Sequence, residues 1–224
     1  MNSNDKLVLH SWNKNAQGWI HAIQNEEIES RNIVTNSAII NAIANYSPKS
    51  VFDIGCGEGW LTRELVRKGI ATTGVDGITK LVESANSQGY GKFLAASYEE
   101  IVTGNIISDD CFDAAVCNFS LLGKNSVDKL VSFLPKLLRK NGLVFIQTLH
   151  PIISCVELPY NDGWREEFWD GFNSQFIETS PWYFRTLETW VKLLISSGFC
   201  IVECIEPINP KTDKPASIIF VARV

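Results

Sequence analysis

The chain lacks the marks of membrane, nucleic-acid-binding and zinc proteins. No apolar run is long enough to span a bilayer, and the polar N-terminus shows no signal peptide. The 20 Lys and Arg are outnumbered by 25 Asp and Glu, which gives a net charge of −5, and no basic patch offsets it. DNA or tRNA would therefore be repelled. None of the six cysteines forms a C-x-x-C pair, which argues against a metal site and fits reduced thiols in a cytoplasmic protein.

The length and composition are those of an ordinary globular chain. A length of 224 residues suits one domain over residues 1–224 with a sizeable core, and 45% apolar and 20% charged residues agree with that. Residues 1–48 are predicted to form a polar helical segment, which we expect to pack against a sheet edge and the mouth of a pocket. Residues 151–185 interrupt an otherwise regular alternation of strands and helices.

The most informative stretch is residues 51–60, Val-Phe-Asp-Ile-Gly-Cys-Gly-Glu-Gly-Trp. A short apolar run ends there in three alternating glycines, and apolar residues at helical spacing follow. The pattern predicts a buried strand, a tight turn and a helix that opens beneath a ligand. Glycine allows left-handed backbone angles and lets a ligand lie directly against the peptide plane. A dinucleotide fingerprint would need its third glycine where Trp60 stands, which argues against a pyrophosphate in this turn.

The ordered residues Asp53, Gly55, Gly57 and Gly59 resemble motif I, D-x-G-x-G-x-G, of the class I S-adenosylmethionine-dependent methyltransferases. In that family the turn holds the methionine half of the cofactor, and the acidic residue lies close to it. The resemblance therefore implies S-adenosylmethionine as cofactor and S-adenosylhomocysteine as product. It also implies Asp53, Gly55, Cys56 and Gly57 as cofactor-binding residues.

A second predicted strand, residues 71–75, ends at Asp76, and Gly77 follows. An acidic residue at the tip of this strand can accept hydrogen bonds from both ribose hydroxyls. Asp76 stands 21 positions after Gly55, close to the spacing of about 20 expected for this arrangement. Dehydrogenases and methyltransferases share this chemistry, so Asp76 and Gly77 predict an adenosine ligand without choosing between the two classes.

The tips of the third and fourth predicted strands extend the candidate cofactor site. The family often has G-D-A after the third strand, where this chain has Ala96, Ser97 and Tyr98. Ser97 can hydrogen-bond without bringing a charge, and Tyr98 either borders the adenine or belongs to the core. Asn118 and Phe119 follow the fourth strand and are predicted to line the pocket, with packing as the alternative for Phe119. They differ from the N-P-P-Y/F of amino-group methyltransferases, which argues against DNA adenine and release-factor substrates.

Three further residues carry predictions about the helices. Arg31 lies ahead of motif I, where an arginine of related methyltransferases grips the carboxylate of the cofactor; a solvated surface arginine is the alternative. Thr35 is predicted to cap the next helix, because an apolar stripe follows it. Gly142 is predicted to end the helix after the fourth strand, just beyond a basic pair.

The chain closes with two predicted strands, residues 199–205 and 217–224. In sum, we predict an α/β fold: a Rossmann-like, seven-stranded, mostly parallel sheet with helices on both faces and an antiparallel last strand. N-terminal helices and an aromatic insertion complete it. The order of the strands is what the resemblance implies.

Residues 151–185 are dense in aromatic and charged side chains, and a long connection of this kind inside a compact domain is usually functional. We interpret it as a cover over the acceptor site, with Trp164, Trp182, Tyr183 and Arg185 binding the acceptor; a dimerisation flap is the alternative. His150 directly precedes the cover. It is either a general base for the acceptor or a ring that binds the cover and only shapes the pocket.

These features predict an enzyme that transfers a methyl group from S-adenosylmethionine to a small-molecule acceptor by direct displacement. The protein would supply alignment and a dry site. A non-catalytic regulator or partner subunit that binds the same cofactor is the alternative, and a nicotinamide dehydrogenase is a third hypothesis that Trp60 disfavours. The acceptor, the methylated atom and the choice between a monomer and a homodimer stay open.

Overall fold

The structure, a computed structural model, describes residues 3–104, 111–155, 158–167 and 176–224. The α-helices within these ranges are α1 (Ser3–Gln24), α2 (Asn36–Asn45), α3 (Trp60–Arg67), α4 (Thr79–Gln88), α5 (Tyr98–Val102), α6 (Asn125–Phe133), α7 (Pro151–Cys155) and α8 (Leu187–Ser196). The strands are β1 (Ser50–Ile54), β2 (Ala71–Asp76), β3 (Lys92–Ala95), β4 (Phe112–Asn118), β5 (Leu138–Thr148), β6 (Gly163–Glu167), β7 (Ser180–Phe184), β8 (Cys200–Ile205), β9 (Ile208–Asn209), β10 (Lys214–Pro215) and β11 (Ile218–Arg223). A π-helix, Arg31–Thr35, leads into α2, and a 3₁₀-helix, Leu134–Leu137, follows α6.

One seven-stranded sheet organises the molecule, with the strand order β3-β2-β1-β4-β5-β11-β8. The strands from β3 to β5 pair in parallel, whereas β11 is antiparallel to both β5 and β8. The predicted mostly parallel sheet with an antiparallel last strand is therefore confirmed. The ladders β9–β10 and β6–β7 are separate two-stranded sheets.

The sheet is covered on both faces, which explains why its central strands are almost entirely apolar. Phe52 and Ile54 of β1 join a cluster that includes residues of α6 and α8, whereas Val51, with its side chain on the opposite face, packs with residues of α2 and α3. All three side chains are fully buried. Burial of each such side chain contributes roughly 1.5–3 kcal/mol to folding, so the two layers fix the position of β1 and of the turn that follows it.

Helix α1 is tied to segments that follow the sheet strands. The Asp5 carboxylate accepts the backbone N–H groups of Lys124 and Ser126 at 2.8 and 3.2 Å, at the start of α6. The Asn15 side chain accepts the N–H of Ile177 at 2.9 Å and donates to the Glu178 carbonyl at 2.7 Å, just before β7. These contacts hold α1 against both the loop after β4 and the β6–β7 ladder.

Two predicted helix boundaries are wrong. Thr35 does not cap α2: its backbone is helical, its side chain makes no capping bond, and it ends the π-helix that continues into α2. Gly142 does not end a helix, because α6 stops at Phe133 and Gly142 lies within β5. Pro135 lacks an N–H and cannot continue an α-helix, which explains the early stop. Arg139, expected at a helix end, instead pairs with Asp113 of β4 at 2.7 Å.

Among the described residues, no helix has both the length and the hydropathy that a membrane span requires. In the same part of the chain, no group of His, Cys, Asp and Glu is arranged to hold a metal ion.

Candidate functional site

The glycine turn between β1 and α3 is held against the tip of β2. Gly55, Gly57 and Gly59 have φ angles of +74°, +59° and +87°, a region that other residues enter only with strain. The N–H groups of Gly55 and Cys56 both donate to the Val75 carbonyl, at 2.8 and 3.0 Å. A Cβ on Gly55 would overlap the Ser120 side chain. A Cβ on Gly57 would lie 3.6 Å from its nearest neighbouring atom, an ordinary contact distance. Gly55 therefore keeps the turn close to β4, and Gly57 leaves the backbone open to a ligand.

Asp76, at the tip of β2, faces the same turn. Its Oδ2 accepts the N–H of Gly57 at 2.9 Å, and its Oδ1 accepts the N–H of Ile78 at 2.8 Å. Burial raises the pKa of Asp76 to about 6, and the two backbone bonds only partly oppose this. Each carboxylate oxygen has a second lone pair, so Asp76 can accept two more hydrogen bonds from a ligand.

Asp53, predicted as a cofactor-binding residue, lies behind the turn. Its Oδ2 accepts the Thr62 hydroxyl at 2.7 Å, which joins β1 to α3. Burial raises the pKa of Asp53 to about 7, with the nearby charge of Asp76 adding to the effect. Asp53 therefore positions the glycine turn and is absent from the lining of the cavity that borders this turn.

Arg31 is buried between two indole rings. Its guanidinium carbon lies 4.9 Å from the ring centre of Trp60 and 5.6 Å from that of Trp19, and Nε donates to Asn36 Oδ1 at 3.3 Å. No described residue gives the buried Nη2 a hydrogen-bond partner. Burial lowers the pKa of Arg31 to about 10, so the group stays charged at neutral pH. A buried, oriented guanidinium nitrogen without a partner is suited to an anionic ligand.

These elements surround a space that we name the glycine cavity, with a volume of about 920 Å³ including its open side. It lies beyond the carboxyl ends of β1, β2 and β4, where the strand order reverses and open α/β sheets bind ligands. Ten of the eleven predicted cofactor-binding residues line it: Arg31, Gly55, Cys56, Gly57, Asp76, Gly77, Ser97, Tyr98, Asn118 and Phe119. Asp53 is the exception.

Ser97 and Tyr98 form a wall whose polar atoms are already engaged. The Ser97 hydroxyl and Glu100 form a capping box at the start of α5. The Tyr98 hydroxyl donates to the Ser120 carbonyl at 2.8 Å, and burial raises its pKa far above the ordinary value. Both residues therefore shape the glycine cavity more than they offer it charge.

A second space, the aromatic cavity, adjoins the first and has a volume of about 1070 Å³ including its open side. The two cavities share a wall that consists of Trp12, Trp19, Arg31, Phe119 and Leu122. The remaining aromatic rings of the second cavity come from the cover and α8: Trp182, Tyr183, Phe184 and Trp190. Phe119 has a φ of +53°, a strained value that places its ring at the junction between the cavities.

Three of the four predicted acceptor-binding residues of the cover, Trp182, Tyr183 and Arg185, line the aromatic cavity. The Arg185 guanidinium donates to the carbonyls of Gly123 and Lys124, both at 3.0 Å, and to Asp128 at 2.8 Å. It therefore joins the cover to the loop after β4. Trp164 lies outside the lining and contacts Tyr183 edge-on, with 5.4 Å between ring centres. Part of the predicted cover, residues 156–157 and 168–175, falls outside the described residues.

His150, predicted as either a base or a shaping residue, lines neither cavity. It is buried, and its Nε2 lies 2.7 Å from Glu206 Oε1. The described residues give its buried Nδ1 no partner. Its contact with Glu206 joins the end of β5 to the segment after β8.

The sequence reasoning missed several wall residues. Trp12 and Trp19 lie in the segment of residues 1–48, for which only packing near a pocket mouth was predicted, although their spacing of seven places them on one face of a helix. Trp60 was treated only as an obstacle to a pyrophosphate, whereas it stacks on Arg31. Trp190 carried no prediction about the site, and no local signal showed that α8 reaches the aromatic cavity.

Comparison with known proteins agrees with this geometry. A family described as "Methyltransferase domain" matches residues 28–203. The ubiquinone biosynthesis O-methyltransferase of Rickettsia prowazekii (strain Madrid E) is 23% identical over 199 residues, which cover 84% of this chain and 75% of that protein.

Two solved structures share the fold. An S-adenosylmethionine-dependent methyltransferase from Mesorhizobium loti superposes with a TM-score of 0.61 at 22% identity, over 82% of this chain and 96% of that one. The 1,6-didemethyltoxoflavin-N1-methyltransferase of Burkholderia thailandensis, solved with 1,6-didemethyltoxoflavin and S-adenosylhomocysteine, gives a TM-score of 0.64 at 18% identity, over 100% of this chain and 91% of that one.

The sheet order and the glycine turn at its switch point define a Rossmann-like fold of the class I methyltransferase type. The family match extends over most of the chain. The chain belongs to the methyltransferase domain family and is a methyltransferase.

Proposed function

We propose that this methyltransferase binds S-adenosylmethionine in the glycine cavity and a small-molecule acceptor in the aromatic cavity. The observation that carries the proposal is the shared wall: Phe119 and Arg31 border both spaces, so ligands in the two cavities would meet there. Direct methyl transfer requires such contact, because the acceptor atom must attack the methyl carbon without an intermediate carrier.

The residues of the glycine cavity fit the parts of this cofactor. Arg31 brings a buried Nη2 for which the described chain offers no partner, which suits a carboxylate. Asn118 brings a similarly unpaired buried Oδ1, which suits an ammonium group. Asp76 can accept two ribose hydroxyls, and Ile78 and Leu81 give the cavity an apolar flank suited to a base. The carboxylate, the ammonium group and the ribose hydroxyls of an amino-acid-bearing nucleoside therefore each have a matching residue.

When bound, the cofactor supplies an electrophilic methyl group on a sulfonium. The chain contributes alignment and exclusion of water. The glycine turn and Asp76 fix one ligand, the Phe119 ring sets the boundary between the two, and Trp182 and Tyr183 close the acceptor side. Removal of water favours the dispersal of positive charge from sulfur in the transition state.

The relative from Rickettsia prowazekii is named as an O-methyltransferase, and we extend that chemistry to this chain: the methylated atom is a hydroxyl oxygen, whose proton is lost to water. His150 lines neither cavity, so its part in this proposal is structural: through Glu206 it joins the end of β5 to the segment after β8.

The test is calorimetric titration of the protein with S-adenosylhomocysteine, NAD and adenosine. We expect micromolar-range binding of S-adenosylhomocysteine, weaker binding of adenosine and none of NAD. Absence of S-adenosylhomocysteine binding, or preference for NAD, would overturn the assignment. Release of S-adenosylhomocysteine from S-adenosylmethionine in the presence of hydroxylated acceptors distinguishes an enzyme from a regulator that only binds the cofactor.

A further inference from the structure

The π-helix Arg31–Thr35 brings two buried polar side chains to the wall of the aromatic cavity. Its first residue, Arg31, and its last, Thr35, both line that cavity, while the three residues between them do not. The wide turn is closed by the Asn36 N–H, which donates to the Arg31 carbonyl. Single π-type turns inside helices occur frequently at functional sites, because the irregular turn re-aims side chains.

Thr35 has a hydroxyl that the protein itself leaves unsatisfied. The residue is 2% exposed, and its Oγ1 is buried without a hydrogen-bond partner among the described residues. A threonine within a helix usually donates to a carbonyl one turn earlier. Ser37, two positions on, does so with the Val34 carbonyl at 2.9 Å. A buried hydroxyl with no partner is unfavourable, so its presence beside a cavity points to a ligand that completes it.

The backbone of Thr35 is held in place by Gln147. The Gln147 side chain, buried at the end of β5, donates to the Thr35 carbonyl at 3.3 Å and to the Ser217 hydroxyl at 2.9 Å. These bonds leave the Thr35 hydroxyl as the part that can respond to a ligand. A polar group held by its backbone in this way is suited to select between ligands, because it cannot move aside when unpaired.

The other residues that line the aromatic cavity indicate the shape and charge of that ligand. Indole, phenol and phenyl rings from four separate elements surround the aromatic cavity, which suits a flat ring stacked or edge-on against them. Among the described lining residues there is no carboxylate, and two guanidinium groups, Arg31 and Arg185, are present. Arg185 is already paired with Asp128, and Arg31 is assigned to the cofactor carboxylate, so it is the absence of a carboxylate from the described lining that bears on the charge of the acceptor. Such a lining disfavours a cationic amine and favours a neutral or anionic acceptor.

We propose that Thr35 is a specificity-determining residue: its hydroxyl hydrogen-bonds an oxygen substituent on a planar, uncharged or anionic aromatic acceptor. This inference rests on the proposed function, since it concerns the acceptor half of the same site. Thr35 takes no part in bond making. It orients the ring so that a neighbouring oxygen lies at the Phe119 boundary.

The experiment compares Thr35→Val, which keeps the shape and removes the hydroxyl, with Thr35→Ser, which keeps the hydroxyl. Ser37→Ala is the matched control, because it removes a hydroxyl from the adjoining helix that already has a backbone partner and lines neither cavity. Each protein is saturated with S-adenosylhomocysteine and titrated with catechol and with benzene, and binding is followed by quenching of tryptophan fluorescence.

We expect Thr35→Val to bind catechol about tenfold more weakly and benzene unchanged, with S-adenosylhomocysteine affinity unchanged. Thr35→Ser and Ser37→Ala should bind catechol as the natural protein does. Equal catechol affinity in Thr35→Val, equal losses for both rings, or no catechol binding to a natural protein that binds S-adenosylhomocysteine would each overturn the inference. Failure of the natural protein to bind S-adenosylhomocysteine would instead refute the proposed function.

Discussion

The glycine cavity and the aromatic cavity are neighbours built by different means. The first is formed around the glycine turn and the residues at the tips of β2, β3 and β4, Asp76 among them, although Trp12, Trp19 and Trp60 also line it. The second is formed by large rings from α1, the cover and α8, which lie far apart in the sequence. The comparison indicates that the proposed cofactor site depends largely on local backbone geometry, and the proposed acceptor site on tertiary packing.

The largest effect is expected from a substitution that disturbs the backbone of the glycine cavity, because this tests directly whether backbone geometry forms that cavity. Gly55→Ala places a Cβ into the Ser120 side chain at a left-handed φ. We expect its free energy of unfolding to fall by about 3 kcal/mol and S-adenosylhomocysteine binding to disappear. Urea unfolding and calorimetry measure both effects.

Gly69→Ala is the control for strain alone. Gly69 also has a left-handed φ, +83°, but no atom lies within 4 Å of the position that an added Cβ would take. This variant should lose about 1 kcal/mol of stability and keep its cofactor affinity. If the two variants behaved alike, the packing of the turn against β4 would have no special part in the cavity.

The second largest effect should come from Arg31. Arg31→Met removes the guanidinium, and with it the Nη2 that has no partner among the described residues, while keeping apolar contact with Trp19 and Trp60. We expect affinity for S-adenosylhomocysteine to fall about 100-fold, with affinity for methylthioadenosine, which has no carboxylate, almost unchanged. Arg67→Met, at an exposed arginine paired with Glu64, is the control and should change neither. An equal loss for both ligands would place Arg31 away from the carboxylate.

A smaller effect is expected from the titration of Asp76. The ionised carboxylate accepts ribose hydroxyls best, and burial raises its pKa to about 6. Affinity for S-adenosylhomocysteine should therefore fall about tenfold between pH 7 and pH 5. Asp76→Asn should bind more weakly at pH 7 and show no such step, as calorimetry at several pH values would reveal. An unchanged step in Asp76→Asn would assign the titration to another group.

The stability of the unliganded protein should depend on pH in the opposite direction from its ligand affinity. A folded-state pKa above the ordinary 3.8 means that the folded chain retains a proton that the unfolded chain has lost. The stability contributed by protonated Asp76 is therefore present below pH 3.8 and is lost as the pH rises to about 6. Chemical denaturation of the protein without ligand, compared with Asp76→Asn, measures this contribution.

The smallest effect should be that of His150. Because the imidazole lines neither cavity, His150→Gln should lower kcat by no more than about threefold and leave the pH dependence of kcat unchanged, whereas loss of a general base costs about 100-fold or more. Steady-state rates over pH 5.5–8.5 would distinguish these outcomes. A drop of the larger size, with the acid limb of the profile abolished, would make His150 the base.

The same contrast explains what the sequence could predict. Asp76, Asn118 and the glycines stand at strand tips, where a short motif and the alternation of elements determine their place. Trp60 contacts Arg31 from 29 positions away, and that pairing depends on how the π-helix packs on α3. No local pattern encodes such a contact.

Thr35 and Gly142 show the limits of boundary rules. A threonine before an apolar stripe is the usual sign of a helix cap. Here a π-helix directly precedes α2, so the helical backbone begins before Thr35, and hydrophobic periodicity does not distinguish that case. A glycine after two basic residues resembles a helix end. Here the α-helix ends before Pro135, and Arg139 pairs with Asp113 of the neighbouring strand. Tertiary pairing outweighed the local signal in both places.

The most direct test of the two-cavity arrangement is a crystal structure with S-adenosylhomocysteine and catechol. We predict the cofactor carboxylate on Arg31 Nη2, the ribose on Asp76, the sulfur at Phe119 and the catechol ring among Trp182, Tyr183 and Trp190. Density for the cofactor outside the glycine cavity, or for the ring on the far side of α1 from Phe119, would contradict it.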